Sequence, residues 1–374
     1  MTKTVATRRY GLIGAGMMGA EHVNNLALID GAELVAVADP FAPSLDRVSA
    51  QARNFFSDVD QYRNYQSLLG REDIDAVIIA APNHAHYDLA NAAMDAGKSI
   101  LLEKPMCTTH RDAKNLYERS LSYAPLLWIG LEYRYMPPVT RFIDHVRSGI
   151  AGPIKMLSIR EHRFPFLQKI GDWNRFNKNT GGTLVEKCCH FFDLMRFILD
   201  DEPTRVFASG GQDVNHLDER YGGVQPDILD NAYVIVDFRR GARAMLDLCM
   251  FAEGAPEQED IIAVGPVGRL EAGVPSSEVR WRPRARQDGF VEQVDVPPDI
   301  LAAGDHHGAT YYQLMRFHEA LIARDKPEIS ALDGLRSVQM GLAAQESIDT
   351  GAPVSIDAGL SPMSTIKEAA SDAR

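Results

Sequence analysis

Gly14, Gly16 and Gly19 follow an apolar run at Arg8–Ile13 and precede a segment of helical period, an arrangement suited to gripping a dinucleotide pyrophosphate. The first glycine permits a tight turn, the second lets backbone approach phosphate, and the third allows close packing of helix on strand. A helix N-terminus then offers free N–H groups and partial positive charge to the phosphates. Gly14, Gly16, Met17 and Met18 are therefore expected at the cofactor. Asp39 ends the second apolar run, 20 residues after Gly19. A carboxylate there binds ribose hydroxyls and repels a 2′-phosphate, which favours NAD over NADP. An Asp before Pro40 also makes a turn without any ligand, but its place after the glycine loop favours the cofactor role.

A second constellation, Glu186, His190 and Asp193, is spaced by four and three, so a continuous helix would present all three on one face. An imidazole titrating near neutrality can take the proton of a hydroxyl whose carbon loses hydride. A carboxylate one turn away would orient it and raise its basicity. The plainer alternative is a helix with a buried, satisfied histidine and solvated acids. Cys188 and Cys189 adjoin His190, yet neighbours on a helix point about 100° apart and do not readily ligate one ion. They are read, with Cys107 and Cys249, as apolar thiols, and no metal site is expected.

Ahead of that helix, residues 160–178 carry Arg160, Arg163, Lys169, Arg175 and Lys178 against Glu161 and Asp172. Lys169 and Arg175 are candidates to hold an anionic group of a substrate, and Trp173 offers a flat surface for a sugar ring. A solvated basic loop or an oligomer contact explains the same charges. Tyr133, Arg134 and Tyr135 form a polar aromatic cluster, in which Tyr135 serves either as a second base and substrate ligand or as packing. His306 and His307 precede the long C-terminal helices, and no role is assigned to either.

These residues need elements to hold them. Strand-length apolar runs at 8–13, 33–38, 75–80, 99–102 and 126–130 alternate with helical segments near 17–29, 43–53, 84–96 and 109–122. Continuous apolar strands alternating with helices predict a doubly wound parallel α/β sheet, a Rossmann domain over 1–130. Beyond it lie a helix near 138–148 and strands at 154–163, 204–213, 231–240, 243–252, 259–264 and 268–272. Helices return near 182–199, 307–324 and 331–350. This predicts an α+β domain over 131–356 with a large, mostly antiparallel open sheet, and a loose tail at 357–374.

The 374 residues suit two cores, and the net charge of −12 argues against a nucleic-acid footprint. No apolar run reaches the ~18–20 residues a membrane span requires, and the N-terminus lacks a signal-peptide pattern, so a cytoplasmic protein is expected.

Further motifs complete the pattern: Ala80-Ala81-Pro82-Asn83-His84-Ala85-His86 closing a strand, Glu103-Lys104-Pro105, and Gly181-Gly182 ahead of Glu186-Lys187-Cys188-Cys189-His190-Phe191-Phe192-Asp193. With the glycine loop, they resemble the Gfo/Idh/MocA oxidoreductases over nearly the whole chain. The resemblance implies NAD as cofactor and a carbohydrate as substrate. It places Lys104 beside the nicotinamide and the substrate hydroxyl, and makes His190 the proton-transfer residue. Pro82, Asn83, His86 and Glu103 fall where family members meet the cofactor, although His86 equally suits the first turn of a helix. Glu186 and Cys188 stand where the family pattern has Asp and Gly, which puts the substrate in question more than the chemistry. The Glu186–His190 variant and the basic loop look closer to an NAD-dependent sulfoquinovosidase branch, which cleaves anionic glycosides without net oxidation. A non-catalytic regulator on the same scaffold would not need both Lys104 and His190. An open sheet leaves an apolar face to cover, and relatives commonly do so as homodimers or homotetramers.

Overall fold

The computed structural model describes residues 7–285 and 288–356; the proposed tail at 357–374 lies outside them. The first sheet has the order β3-β2-β1-β4-β5-β6, all parallel, from β1 (Arg8–Ile13), β2 (Ala32–Ala38), β3 (Asp60–Tyr62), β4 (Ala76–Ile79), β5 (Ser99–Glu103) and β6 (Leu127–Gly130). Its strands are connected through α1 (Met17–Leu26), α2 (Ala42–Ala52), α3 (Tyr65–Leu69), α4 (His86–Asp95) and α5 (His110–Ser120). The central strands β4 and β5 are buried along their whole length, as a sheet covered on both faces demands. The Rossmann expectation holds. β3 and α3 were not expected, because Asp60-Gln61-Tyr62 is a largely exposed edge strand with no apolar alternation to reveal it.

α6 (Pro137–Arg147) leads into the second sheet. Its order is β14-β13-β12-β11-β7-β10-β9-β8-β15, antiparallel except where β7 (Met156–His162) runs parallel to β10 (Arg243–Cys249). The other strands are β8 (Pro203–Gly211), β9 (Asn231–Phe238), β11 (Glu259–Val264), β12 (Gly268–Val274), β13 (Glu278–Pro283), β14 (Phe290–Gln293) and β15 (Val354–Ser355). Strict alternation of buried and open positions along β7 and β9 shows one face on the core and one left open. The open face carries Phe207, Tyr233 and Ile235, which are 41%, 64% and 50% exposed.

The single helix expected at 182–199 is broken. Asn177–Thr180 forms a short turn (α7), Thr183–Glu186 forms α8, and α9 begins afresh at Cys189 and runs to Leu199. The N–H of Lys187 closes back on the Thr183 carbonyl, and the Cys189 thiol points to the Glu186 carbonyl at 3.6 Å. α10 (Pro298–Ala302) precedes the last two long helices, α11 (Ala309–Ala323) and α12 (Ala331–Thr350).

These two helices serve both halves of the molecule. Leu314, Phe317, Leu335 and Val338 belong to the core of the first sheet, while Met340, Ala343 and Ala344 belong to that of the second. Phe317 lies against Tyr10 and Trp128 at 6.3 and 6.1 Å between ring centroids, and the Tyr10 hydroxyl meets His318 Nδ1 at 2.8 Å. No described helix is long and apolar enough to cross a membrane.

Candidate active site

The glycine loop separates the roles expected of its three glycines. Gly14 has φ +101°, and a Cβ there would sit 2.5 Å from the Ala80 carbonyl, so only glycine fits the turn. A Cβ on Gly19 would strike the Gly14 carbonyl, which sets how closely α1 packs on β1. Gly16 instead has open space where a Cβ would go, and it caps α1 without any side-chain partner for the free N–H groups. That is the cradle a pyrophosphate requires. Met17 beside it is 51% exposed and Met18 is half-buried. Asp39 accepts the Ala15 N–H and the Phe41 N–H, both at 2.7 Å, tying the end of β2 to the loop. Pro82 and Asn83 follow β4 at the same edge, and Asn83 Nδ2 is enclosed without a partner.

Where β5 ends, Glu103 is buried between His22, 2.8 Å away, and the Lys104 N–H, 3.2 Å away. Lys104 then reaches across to the second domain, its ammonium donating to the Glu186 carbonyl at 3.1 Å. The break after α8 exposes that carbonyl, because helical backbone no longer covers it. The Glu186 carboxylate turns to Lys169, 3.6 Å away, and its Oε2 is enclosed without a partner. Lys169 lies 4.6 Å from the Trp173 ring centroid, and Trp173 meets His84 edge-on at 6.1 Å. The basic segment thus arches from the second domain onto the strand-end loop of the first. Burial holds Lys169 below the usual lysine range, opposed by Glu186 and reinforced by Lys104.

His190 begins α9 and is 2% exposed. Burial holds its imidazole well below the usual histidine range, with the charge of Lys104 as the next cause, followed by Lys187, His306 and Arg163. Its Nδ1 is enclosed without a partner. The ring stacks on Tyr133 at 3.9 Å between centroids, with the planes 9° apart. The site therefore rests with a neutral imidazole, able to accept a proton, beside an ammonium able to hold a developing alkoxide.

Several sequence expectations are corrected. Asp193 does not orient His190. The break at Lys187–Cys188 takes Glu186 off the face of α9, and Asp193 is gripped by Arg134, with Nε–Oδ2 at 2.6 Å and Nη2–Oδ1 at 2.5 Å. Tyr135, the candidate second base, donates to Glu328 at 2.8 Å and stacks on Trp128; burial and then Glu328 raise its pKa far above the usual tyrosine range. His86 is fully buried, with Nδ1 2.7 Å from the Pro105 carbonyl and Nε2 2.9 Å from the Ala81 carbonyl, so it braces the Lys104 loop rather than facing a cofactor. Arg175 is buried against Glu219 at 3.0 Å and braces two loops, leaving Lys169 and Trp173 as the members of the basic segment at the cleft. His306 is half-buried and meets Glu21 at 2.8 Å, whereas His307 meets Ser277.

Residues to which sequence reasoning assigned no role include His84 at the cleft rim and the group behind His190, namely Tyr133, Lys187, Glu161 and Glu259. A signal existed for the two acids. Both fall on the buried phase of their strands, beside Ile159 in β7 and Ile261 in β11.

A glycine cradle at the first strand-helix junction, with a cation and a buried imidazole converging from two domains, defines a Rossmann-fold oxidoreductase that binds NAD. Residues 8–130 match the oxidoreductase family with an NAD-binding Rossmann fold, and residues 143–356 match that family's C-terminal alpha/beta domain. The chain belongs to the Gfo/Idh/MocA oxidoreductase family. It is 27% identical to the scyllo-inositol 2-dehydrogenase (NAD(+)) of Bacillus subtilis, over 93% of this chain and 96% of the relative. Identity is 26% to the myo-inositol 2-dehydrogenase of Thermotoga maritima, over 93% of this chain and 98% of the relative. An oxidoreductase from Agrobacterium radiobacter, solved with NAD+, L-tartaric acid and magnesium, shares the fold with a TM-score of 0.80 and 19% identity, over 95% and 100% of the two chains.

Proposed function

We propose that the protein is an NAD-dependent dehydrogenase of a sugar or polyol, oxidising a CH–OH group. The observation that carries this reading is the Lys104–Glu186 contact, which brings the ammonium of one domain beside the His190 helix of the other. Bound NAD supplies the hydride acceptor. Gly14, Gly16, Met17 and Met18 would hold its pyrophosphate end, Asp39 its ribose, and Pro82, Asn83 and Glu103 the nicotinamide end. Lys104 donates a hydrogen bond to the reacting oxygen and steadies its negative charge as the proton leaves. His190, neutral at rest, accepts that proton. Glu186 holds Lys169 at the cleft, and Trp173 offers a stacking surface for a ring.

A second reading, redox-neutral cleavage of a glycoside, draws on Lys169. An ammonium at the cleft suits a carboxylate, phosphate or sulfonate on the sugar, as in a sulfoquinovoside. A carbonyl formed on such a sugar makes the adjacent C–H acidic, and His190 is placed to remove that proton in turn. Free polyols and aryl glycosides, neutral and anionic, incubated with NAD separate the two. A dehydrogenase accumulates NADH, whereas a glycosidase releases the aglycone at constant NAD. If neither occurs with any substrate class, the enzyme reading fails. The exposed row of Phe207, Tyr233 and Ile235 favours a homodimer or homotetramer through the open sheet face.

A further inference from the structure

Behind His190, away from Lys104, lies a closed group of charges that the reaction as described leaves unused. Tyr133, stacked on the imidazole, takes a hydrogen bond from the Lys187 ammonium at 2.5 Å. Lys187 lies 2.9 Å from Glu161 Oε1, which also receives Arg163 Nη1 at 3.3 Å. Glu161 in β7 pairs in register with Glu259 in β11, and the two side chains are 0% and 1% exposed. Gln258 donates to Glu259 Oε1 at 2.7 Å. The remaining oxygens, Glu161 Oε2 and Glu259 Oε2, are both enclosed and neither has a donor.

Two buried carboxyl groups side by side do not both ionise; one retains a proton and gives the other its missing hydrogen bond. Burial first, and Glu161 next, push Glu259 up to about 8. In that state Lys187 and Arg163 outweigh the one carboxylate, and the excess positive charge falls on the imidazole face covered by Tyr133. The other charges that reach His190 are Lys104 at the end of β5 and His306 ahead of α11; against the effect of burial, Glu132 and Glu21 hold His306 up at about 9, so its positive charge is lost above the range of the pair.

We propose that the Glu161–Glu259 pair is a one-proton regulator of His190, acting through Lys187 and Tyr133 as positioning residues. With the proton on the pair, His190 is a weak base. Loss of the proton to solvent places a second carboxylate beside Lys187, cancels one excess positive charge and strengthens the imidazole as a base. No redox or bond-forming step is involved beyond that ionisation. The stacked Tyr133 ring keeps the imidazole plane fixed, so the change is electrostatic rather than a rearrangement.

The inference rests on His190 being the proton acceptor, and the experiment separates the two. The pH dependence of kcat/KM is measured between pH 6 and 10 for the wild type, E259Q, Y133F and H190N, with the substrate of the panel above that turns over, scyllo-inositol being the first polyol tried. Gln at 259 keeps the shape and removes the ionisation. The wild type should show a rise of about threefold centred near pH 8, the result of roughly one unit of imidazole basicity transmitted about half to the rate. E259Q should lose that rise while binding NADH as the wild type does, and Y133F, which keeps the ring but removes its hydrogen bond from Lys187, should diminish it. An E259Q profile that superimposes on the wild type while H190N is inactive overturns the regulator and leaves the proton acceptor standing. Full turnover in H190N overturns the underlying reading. If E259Q proves poorly folded, the wild type and Y133F decide: a rise near pH 8 that Y133F diminishes supports the regulator, and a wild-type profile that is flat between pH 7 and 9 refutes it.

Discussion

Replacing Asp193 by Asn should cost the protein stability and leave its chemistry almost untouched. Asp193 sits four residues N-terminal to Phe197, whose ring lies 4.0 Å from the Arg134 guanidinium, and both members of the Arg134–Asp193 pair are nearly inaccessible, with side chains 5% and 1% exposed. Deleting one partner of a buried pair typically costs ~3–5 kcal/mol because the other charge is left uncompensated. Here the loss is cushioned: Asp333 stands 3.2 Å from the same guanidinium, and Asn retains one acceptor. A cost of about 2–3 kcal/mol is therefore expected, roughly 5–10 °C in Tm at the ~2–4 °C per kcal/mol of a large domain. Calorimetry gives the Tm, and kcat/KM measured well below the transition gives the chemistry. Since both oxygens of Asp193 are taken by Arg134 rather than His190, the pH profile should keep its shape. A Tm unchanged within a degree, together with a hundredfold loss of kcat and a displaced acid limb, would show that Asp193 does serve the imidazole and that the break at Lys187–Cys188 has been misread.

K104M and H190N should each lower kcat by about two orders of magnitude or more, as expected for removal of a general acid–base or oxyanion partner, while isothermal titration still detects NADH. Because burial holds His190 well below 6.5, its neutral form persists under mild acid, and oxidation should show no acid limb near pH 6.5. An acid limb there in the free enzyme would contradict the burial described. G14A should weaken fold and nucleotide binding together, since its Cβ meets the Ala80 carbonyl at 2.5 Å; G16A should spare the Tm of the apo protein and weaken NADH binding alone. Equal Tm losses in the two variants would remove the cradle assigned to Gly16. D39A should reduce the preference of NAD over NADP by at least tenfold in the ratio of kcat/KM; an unchanged ratio would limit Asp39 to its Ala15 and Phe41 contacts.

The parallel sheet was legible because its central strands are apolar on both faces, and α12 was legible from Ala331 to Thr350. The glycine loop was equally plain, since Gly14, Gly16 and Gly19 each answer a different steric demand. The arrangement around His190 was not. Residues 182–199 carry no proline, and the pattern is apolar enough for one helix, so nothing local marks the break at Lys187–Cys188. That break depends on tertiary contacts, with Lys104 on the Glu186 carbonyl and Lys187 drawn to Glu161. Once it is present, helical spacing no longer tells which carboxylate accompanies the imidazole. Tyr135 misled for a similar reason. The side chains of the turn at Glu132–Tyr135 diverge, and which of Tyr133 and Tyr135 faces His190 is decided by partners distant in sequence: Glu328, between α11 and α12, takes Tyr135, while Lys187 holds Tyr133. Glu161 and Glu259 were the opportunity missed: an acid on the apolar phase of a strand needs a partner, and here two such strands are neighbours.

The helices at 309–350 carry an implication for how this chain is made. Phe317 and Leu335 fill the hydrophobic interior of a sheet whose last strand ends at Gly130, so roughly two hundred residues must be synthesised before that interior is sealed. Until then a nascent nucleotide-binding half would present a bare apolar seat around Tyr10 and Trp128, open to chaperones or to the same seat on a neighbouring chain. Division of the gene near residue 130 should accordingly yield an N-terminal fragment that aggregates unless the missing helices are supplied.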